Sequence, residues 1–162
     1  MKKGLLYILT VALFATLSAC GGSGKTDGDK KDSLTTVNES SANLNLSAGE
    51  AIYKGKGMCL TCHGAEGLGT PGTFPPLANA DYLMADKQRA VSQTLYGASH
   101  PITVNGTQYP GGVMGATVAN LNLTDQEVVD VVNYVLNSWG NKGGAVTVEM
   151  VQKARQDGPT KY

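Results

Sequence analysis

The chain has 162 residues, 13 basic and 13 acidic, for a formal net charge of zero. That balance excludes the basic excess that nucleic-acid binding requires, and the length favours one domain plus extensions. Aromatic residues make up only 6% against 21 glycines, so few large side chains are on hand to fill a core.

The first segment reads as a leader. Lys2 and Lys3 precede an apolar run from Leu5 to Leu17, too short for a confident membrane span. The run ends in Leu17-Ser18-Ala19-Cys20, small residues before a cysteine, and resembles a bacterial lipobox. Residues 1–19 are therefore expected to be a lipoprotein signal peptide, with Cys20 the lipidated new N-terminus. More than one acyl chain on that cysteine is enough for stable membrane anchoring. Residues 20–45 are dominated by Gly, Ser, Asp, Lys, Asn and Thr without an apolar period, and read as a flexible linker. Its span is on the order of 25–30 Å. The domain proper, 46–162, carries eight basic and nine acidic residues, so totals alone imply no strong steering.

Within the domain, Ser47 with Glu50 three residues later predicts a capping box and a helix over 48–56. The helix leads straight into "CLTCH", residues 59–63. Residues 64–80 are dense in Gly and Pro and read as a loop. Asn79 or Asp81 opens a short helical turn through Met84, and Asp86 caps a helix over 87–96 closed by Gly97. Asn105-Gly106 sits inside an alternating stretch and predicts a hairpin over 102–109. "PGGVMGA" reads as a glycine-rich loop. Thr124 and Glu127 form a second capping box, opening a helix to about Trp139 that stops at Gly140. Val128, Val131, Val132, Val135 and Trp139 fall on one face of it. A last short helix over 148–156 starts at Thr147.

Cys59, Cys62 and His63 carry the chemistry. One helical turn places residues i and i+3 on the same face, so two thiols reach the two vinyl groups of one haem. A histidine at i+4 then stands under the macrocycle as an iron ligand, and Cys-x-x-Cys-His accordingly reads as c-type haem attachment. A zinc site needs four ligands, usually from two such pairs, and outside the motif only His100 is on offer. A thioredoxin-like dithiol follows a strand, whereas here a helix comes first. With Cys20 lipidated, the odd cysteine count is also explained.

For the second axial position the candidates are Met58, Met84, His100, Met114 and Met150. Met58 lies on the same element as the attachment motif. Met84 and Met150 sit in helices with apolar neighbours and suit core packing. His100 lies in a polar turn and has the ordinary reading of a surface histidine. Met114, in a loop whose glycines allow close approach of the backbone, is the preferred ligand. Histidine–methionine ligation favours Fe(II), because a thioether is a soft neutral donor, and a filled sixth position suits electron transfer rather than turnover.

The helix before "CLTCH", the "FPPLA" loop, the "GGVMGA" loop and the helix ending "NSWG" together resemble class I, mitochondrial-type cytochrome c. The resemblance implies an all-α fold in which the N- and C-terminal helices cross beside one covalent haem c. It implies a loop-proline carbonyl, falling on Pro75 with Pro76 as the other option, that accepts from the proximal histidine and raises its basicity. The 102–109 hairpin is an insertion relative to the smallest members, and Met114 is followed by Gly115 where many members have proline. "FPPLANADYLMADKQRAV", "GASHPITVNGTQYPGGVM" and "VVNYVLNSWGN" are similar to cytochrome c domains associated with copper nitrite reductases and to cytochrome subunits of bacterial alcohol and sugar dehydrogenases. The expected function is one-electron transfer, without catalysis of its own. The expected partner is a redox enzyme of the cell envelope (copper nitrite reductase, terminal oxidase or dehydrogenase) met in transient docking. The competing reading is a small-ligand sensor or peroxidase-like domain with a labile Met114.

Overall fold

A computed structural model describes residues 44–118 and 120–159. The expected signal peptide, Cys20 and the linker up to residue 43 lie outside the described residues. No helix among the described residues is long and apolar enough to cross a membrane.

Helix α1 (Leu46–Lys54) is capped by Asn45, whose side chain accepts from the Ala48 amide at 3.2 Å. Ser47, expected to cap, instead donates to Asn45 Oδ1 at 3.0 Å, and Glu50 pairs with Lys54 at 2.6 Å. Asparagine is as good an N-cap as serine. The earlier start also lets Leu46 pack on the core. Helix α2 (Cys59–His63) follows almost at once.

Helices α3 (Asp81–Ala85) and α4 (Lys87–Tyr96) come next. Asp86 caps α4 by accepting from the Arg89 amide at 3.0 Å, and Gly97 closes it with φ 72. Strands β1 (Ile102–Val104) and β2 (Thr107–Tyr109) pair antiparallel, with Ile102 opposite Tyr109 and Val104 opposite Thr107. Asn105 and Gly106 both take positive φ, 49 and 78, as the two-residue turn requires. The hairpin buries Val104 and Tyr109 with Ala80. Asp81 and Asn105 lock it to α3: each side chain accepts from the other's amide, at 2.7 and 3.0 Å.

The segment expected as a methionine-bearing loop is in fact a helix, α5 (Val113–Val118). Its packing on the end of α4 is the physical reason. A Cβ on Gly97 would stand 2.2 Å from the Gly115 nitrogen, and one on Gly115 would stand 2.5 Å from the Tyr96 carbonyl oxygen. The two glycines thus let a short helix sit directly on the end of another, where a longer side chain would hold it off.

Helix α6 (Asp125–Asn137) has the expected capping box: Thr124 Oγ1 accepts from the Glu127 amide at 3.2 Å, and Glu127 Oε2 from the Thr124 amide at 2.7 Å. It buries Val128, Val131, Val132, Val135 and Leu136. The helix ends before Trp139, whose φ is 53, and this break turns the indole back toward Tyr53 and Tyr134. Helix α7 (Val148–Asp157), capped by Thr147, buries Val151 and Ala154.

Helices α1 and α6 cross at a backbone-to-backbone approach. A Cβ on Gly49 would lie 2.1 Å from the Asp130 carbonyl oxygen and 2.5 Å from Tyr134 Cβ. Lys56 reaches Glu127 across the same junction at 2.7 Å. The architecture is all-α with one small hairpin, and the main core runs along α6 into α1, α4 and α7.

Candidate functional site

The attachment motif is the whole of α2. Cys59 and Cys62 are both half-buried on adjacent turns of the same face. Met58, in left-handed backbone with φ 54, makes the sharp entry from α1. Burial pushes the Cys59 thiol up to about 11. A redox dithiol needs the opposite shift, toward thiolate. Among the described residues no cluster of three His, Cys, Asp or Glu side chains is placed to hold a metal ion, so the zinc reading has no ligand set.

His63 ends the turn, buried, with Nδ1 2.9 Å from the Pro75 carbonyl oxygen. A carbonyl only accepts, so Nδ1 carries the proton and Nε2 keeps its lone pair. Burial lowers the imidazole pKa, with the Pro75 carbonyl pulling the other way by a smaller amount. The ring is therefore neutral at pH 7, the form a metal takes. Pro75 is presented by a folded loop in which Thr70 bridges Phe74, and the Leu77 and Ala78 amides both donate to the Gly67 carbonyl, at 2.7 and 2.9 Å.

Cys59, Cys62 and His63 open into a cleft with about 1240 Å³ of space free of protein atoms, part of it open to solvent. Its walls are largely apolar, including Leu77, Leu83, Val104, Val118 and Val131. The two thiols at one turn, the neutral buried imidazole and the apolar cleft open to solvent fit a covalently attached haem.

Among the axial candidates, Met114 lines this cleft from α5, and Met58 lines it beside Cys59. Met84 and Met150 pack instead against the main core. His100 is exposed, does not line the cleft, and has Ser99 Oγ 3.1 Å from its Nδ1.

Four residues were given no part in the site by the sequence reading, which placed Trp139 only on the apolar face of the C-terminal helix. Tyr53, fully buried, donates its hydroxyl to the Gly64 carbonyl at 2.7 Å, and burial raises its pKa far above the ordinary phenol value. Trp139 Nε1 donates to the Ala65 carbonyl at 3.0 Å. Asn141, buried, donates to the Leu77 and Val135 carbonyls at 2.9 and 2.8 Å and accepts from the Asn79 amide at 2.8 Å. The fourth, Arg89, lines the cleft itself. Of these only the aromatic pair left a trace in the sequence, as bulky residues beside the two helices that cross. Asn141 and Arg89 sit in unremarkable local contexts.

Crossed terminal helices around an apolar cleft with Cys-x-x-Cys-His in its wall define a class of proteins that carry covalent haem. Comparison with known proteins places the chain within that class. The cytochrome c family model matches residues 46–139. Cytochrome c-552 of Thermus thermophilus is 35% identical over 116 residues, 66% of this chain and 83% of that protein. The cytochrome c subunit of a quinone alcohol dehydrogenase from Gluconobacter oxydans is 33% identical over 113 residues, 68% of this chain but 22% of the subunit. The cytochrome subunit of fructose dehydrogenase from Gluconobacter japonicus is 25% identical over 131 residues, 78% of this chain and 26% of that subunit. The chain belongs to the cytochrome c family. It is an electron carrier that binds haem c covalently, and its single Cys-x-x-Cys-His motif makes it a monohaem member.

Proposed function

We propose that Cys59 and Cys62 hold the haem as thioethers, that His63 Nε2 and Met114 Sδ ligate its iron, and that Pro75 orients the histidine. Bound haem supplies a one-electron Fe(III)/Fe(II) couple; a thioether ligand favours the ferrous state and raises the potential. The observation that carries the reading is the placement of Met114 in the wall of the same cleft as the attachment motif, fifty-one residues from His63. The protein acts as a lipid-anchored carrier, attached through Cys20, with its domain in the bacterial envelope outside the cytoplasm. Its partner is a redox enzyme. The dehydrogenase subunits among its relatives favour a dehydrogenase over a terminal oxidase, and copper nitrite reductase stands as the alternative from sequence resemblance. Docking is transient, over the cleft rim where Met58 and Val113 are exposed.

Optical spectroscopy of the matured protein tests the ligation. Met114→Ala abolishes the thioether-to-iron absorption band and lets the ferrous form take up carbon monoxide, while Met58→Ala changes neither. A band that survives Met114→Ala places the ligand elsewhere. Ready carbon monoxide binding by the unaltered protein points instead to a sensor with a labile Met114. Cys20→Ser releases the protein from membranes if the anchor is correct.

A further inference from the structure

The described residues include Met58, Met84, Met114 and Met150, and their sulfurs stand in three settings. Met84 and Met150 pack against the main core. Met114 lines the cleft from α5, half-buried. Met58 also lines the cleft, but it is 51% exposed. Among these methionines it alone offers an exposed thioether.

That exposure is built into the backbone. Met58 takes φ 54 and ψ 13, a left-handed conformation for a residue that carries a Cβ. Its amide donates to the Gly55 carbonyl at 2.9 Å, and its carbonyl accepts from the Thr61 amide at 3.1 Å. A non-glycine residue persists in this region only where its surroundings hold it, and such residues gather at functional sites. The turn thus fixes the side chain at the lip of the cleft, directly before the attachment cysteine Cys59.

A thioether sulfur is a nucleophile toward hydrogen peroxide. An S–O bond forms as the O–O bond breaks. Sulfur loses two electrons and becomes a sulfoxide, and the peroxide, reduced by the same two electrons, leaves as water. The product is polar where the thioether was apolar, and sulfoxide reductases reverse the change. The oxidant must reach the sulfur, so the exposed methionine reacts before those packed in the core or against the cleft wall.

We propose that Met58 is a reversible peroxide-oxidation site, and that its sulfoxide weakens docking of a redox partner over the cleft. A sulfoxide oxygen at the rim has to shed water on docking, and an apolar partner surface returns no hydrogen bond for it. This inference rests on docking over the cleft rim and not on the assignment of Met114.

The test treats the matured ferric chain with limiting hydrogen peroxide and follows each methionine by peptide mass spectrometry. Met58 gains oxygen several-fold faster than Met84, Met114 and Met150. Equal or faster oxidation at any of those three overturns the modification site. Docking is probed with a second copy of the chain, by electron self-exchange between ferric and ferrous protein read from NMR line broadening. The domain carries eight basic and nine acidic residues, so two copies meet with little net repulsion. Protein oxidised at Met58 exchanges several-fold more slowly, and methionine sulfoxide reductase restores the rate. Met58→Gln, polar like the sulfoxide, is slow without peroxide, and the rate of Met58→Leu is the same before and after treatment. Exchange that ignores both the sulfoxide and Met58→Gln places docking away from this rim and overturns the proposed effect. Slow exchange in Met58→Gln, with no oxygen gained by Met58 in the wild type, keeps the docking face and overturns the modification site. The thioether-to-iron band is recorded throughout: it stays while Met58 is oxidised, and a band that fades as Met114 gains oxygen marks a labile Met114 and overturns Met58 as the first site.

Discussion

The indole nitrogen of Trp139 donates to the carbonyl of Ala65 at 3.0 Å, joining residues 74 apart in the chain. Tyr53 does the same for the neighbouring Gly64 carbonyl at 2.7 Å. The rings of Tyr53, Tyr134 and Trp139 meet with centroids 5.3–5.5 Å apart. An aromatic cluster at the crossing of α1 and α6 thus holds the backbone that leaves His63. Trp139→Phe keeps most of the ring contact and removes the donor. It should cost about 0.5–1.5 kcal/mol in denaturant unfolding of the haem-loaded protein, with the absorption spectrum unchanged.

Gly49 is the point where α1 and α6 touch backbone to backbone. A methyl group there would meet the Asp130 carbonyl at 2.1 Å, and neither partner is a flexible chain end. Gly49→Ala should destabilise by at least about 1–3 kcal/mol, the usual range for overpacking. Chemical denaturation checks the value. An unchanged midpoint would mean that the two helices are not in contact at this position.

Gly97 tests the seat of α5. It combines φ 72 and ψ 175, a region almost confined to glycine, with a 2.2 Å approach to the Gly115 nitrogen, so alanine would carry both backbone strain, about 1–3 kcal/mol, and a clash. The relief is a displacement of α5, and with it Met114. Gly97→Ala should therefore weaken the thioether-to-iron band and promote carbon monoxide binding by the ferrous form. Gly72, also at positive φ but with no atom near its missing Cβ, is the control. Gly72→Ala should leave both signals intact.

Asn141 bridges the proline loop to the end of α6 through three backbone groups. Asn141→Leu removes the partner of three backbone groups, the Val135 carbonyl in a buried place and the Leu77 carbonyl and Asn79 amide in a part-buried one. The expected loss is at least about 2 kcal/mol, since each orphaned buried group costs about 1–3. A midpoint shift smaller than that of Trp139→Phe would contradict this account.

Glu127 gives a pH signature. Its carboxyl pKa is lowered, chiefly by the Lys56 hydrogen bond and then by the Thr124 amide. A depressed folded-state pKa means that the charged group stabilises the fold above its unfolded pKa, and that this contribution is lost as pH falls through the folded value. Glutamine also completes a capping box, so Glu127→Gln isolates the charge. The variant should melt below wild type at pH 7, and the gap should close on acidification to about pH 3. A constant gap across that range would assign the effect to geometry rather than charge.

Local chemistry determined most of what could be read from the chain alone. Cys59, Cys62 and His63 need one helical turn and nothing else. Thr124 with Glu127, Asp86, Thr147 and the Asn105-Gly106 turn act within three or four residues, and each stands where its spacing placed it. The errors fall where a choice depends on distant residues. Asn45 and Ser47 are both competent caps, and the core contact of Leu46 decides between them. The helical state of α5 depends on a glycine contact with the end of α4, eighteen residues away between Gly97 and Gly115. Trp139 leaves its helix because Tyr53 and Ala65 receive it. Composition could suggest that a bound group fills the core, and the motif could name it. Only the tertiary fold could show that Met114 lines the same cleft as the attachment motif, because no local pattern records what a side chain faces across space.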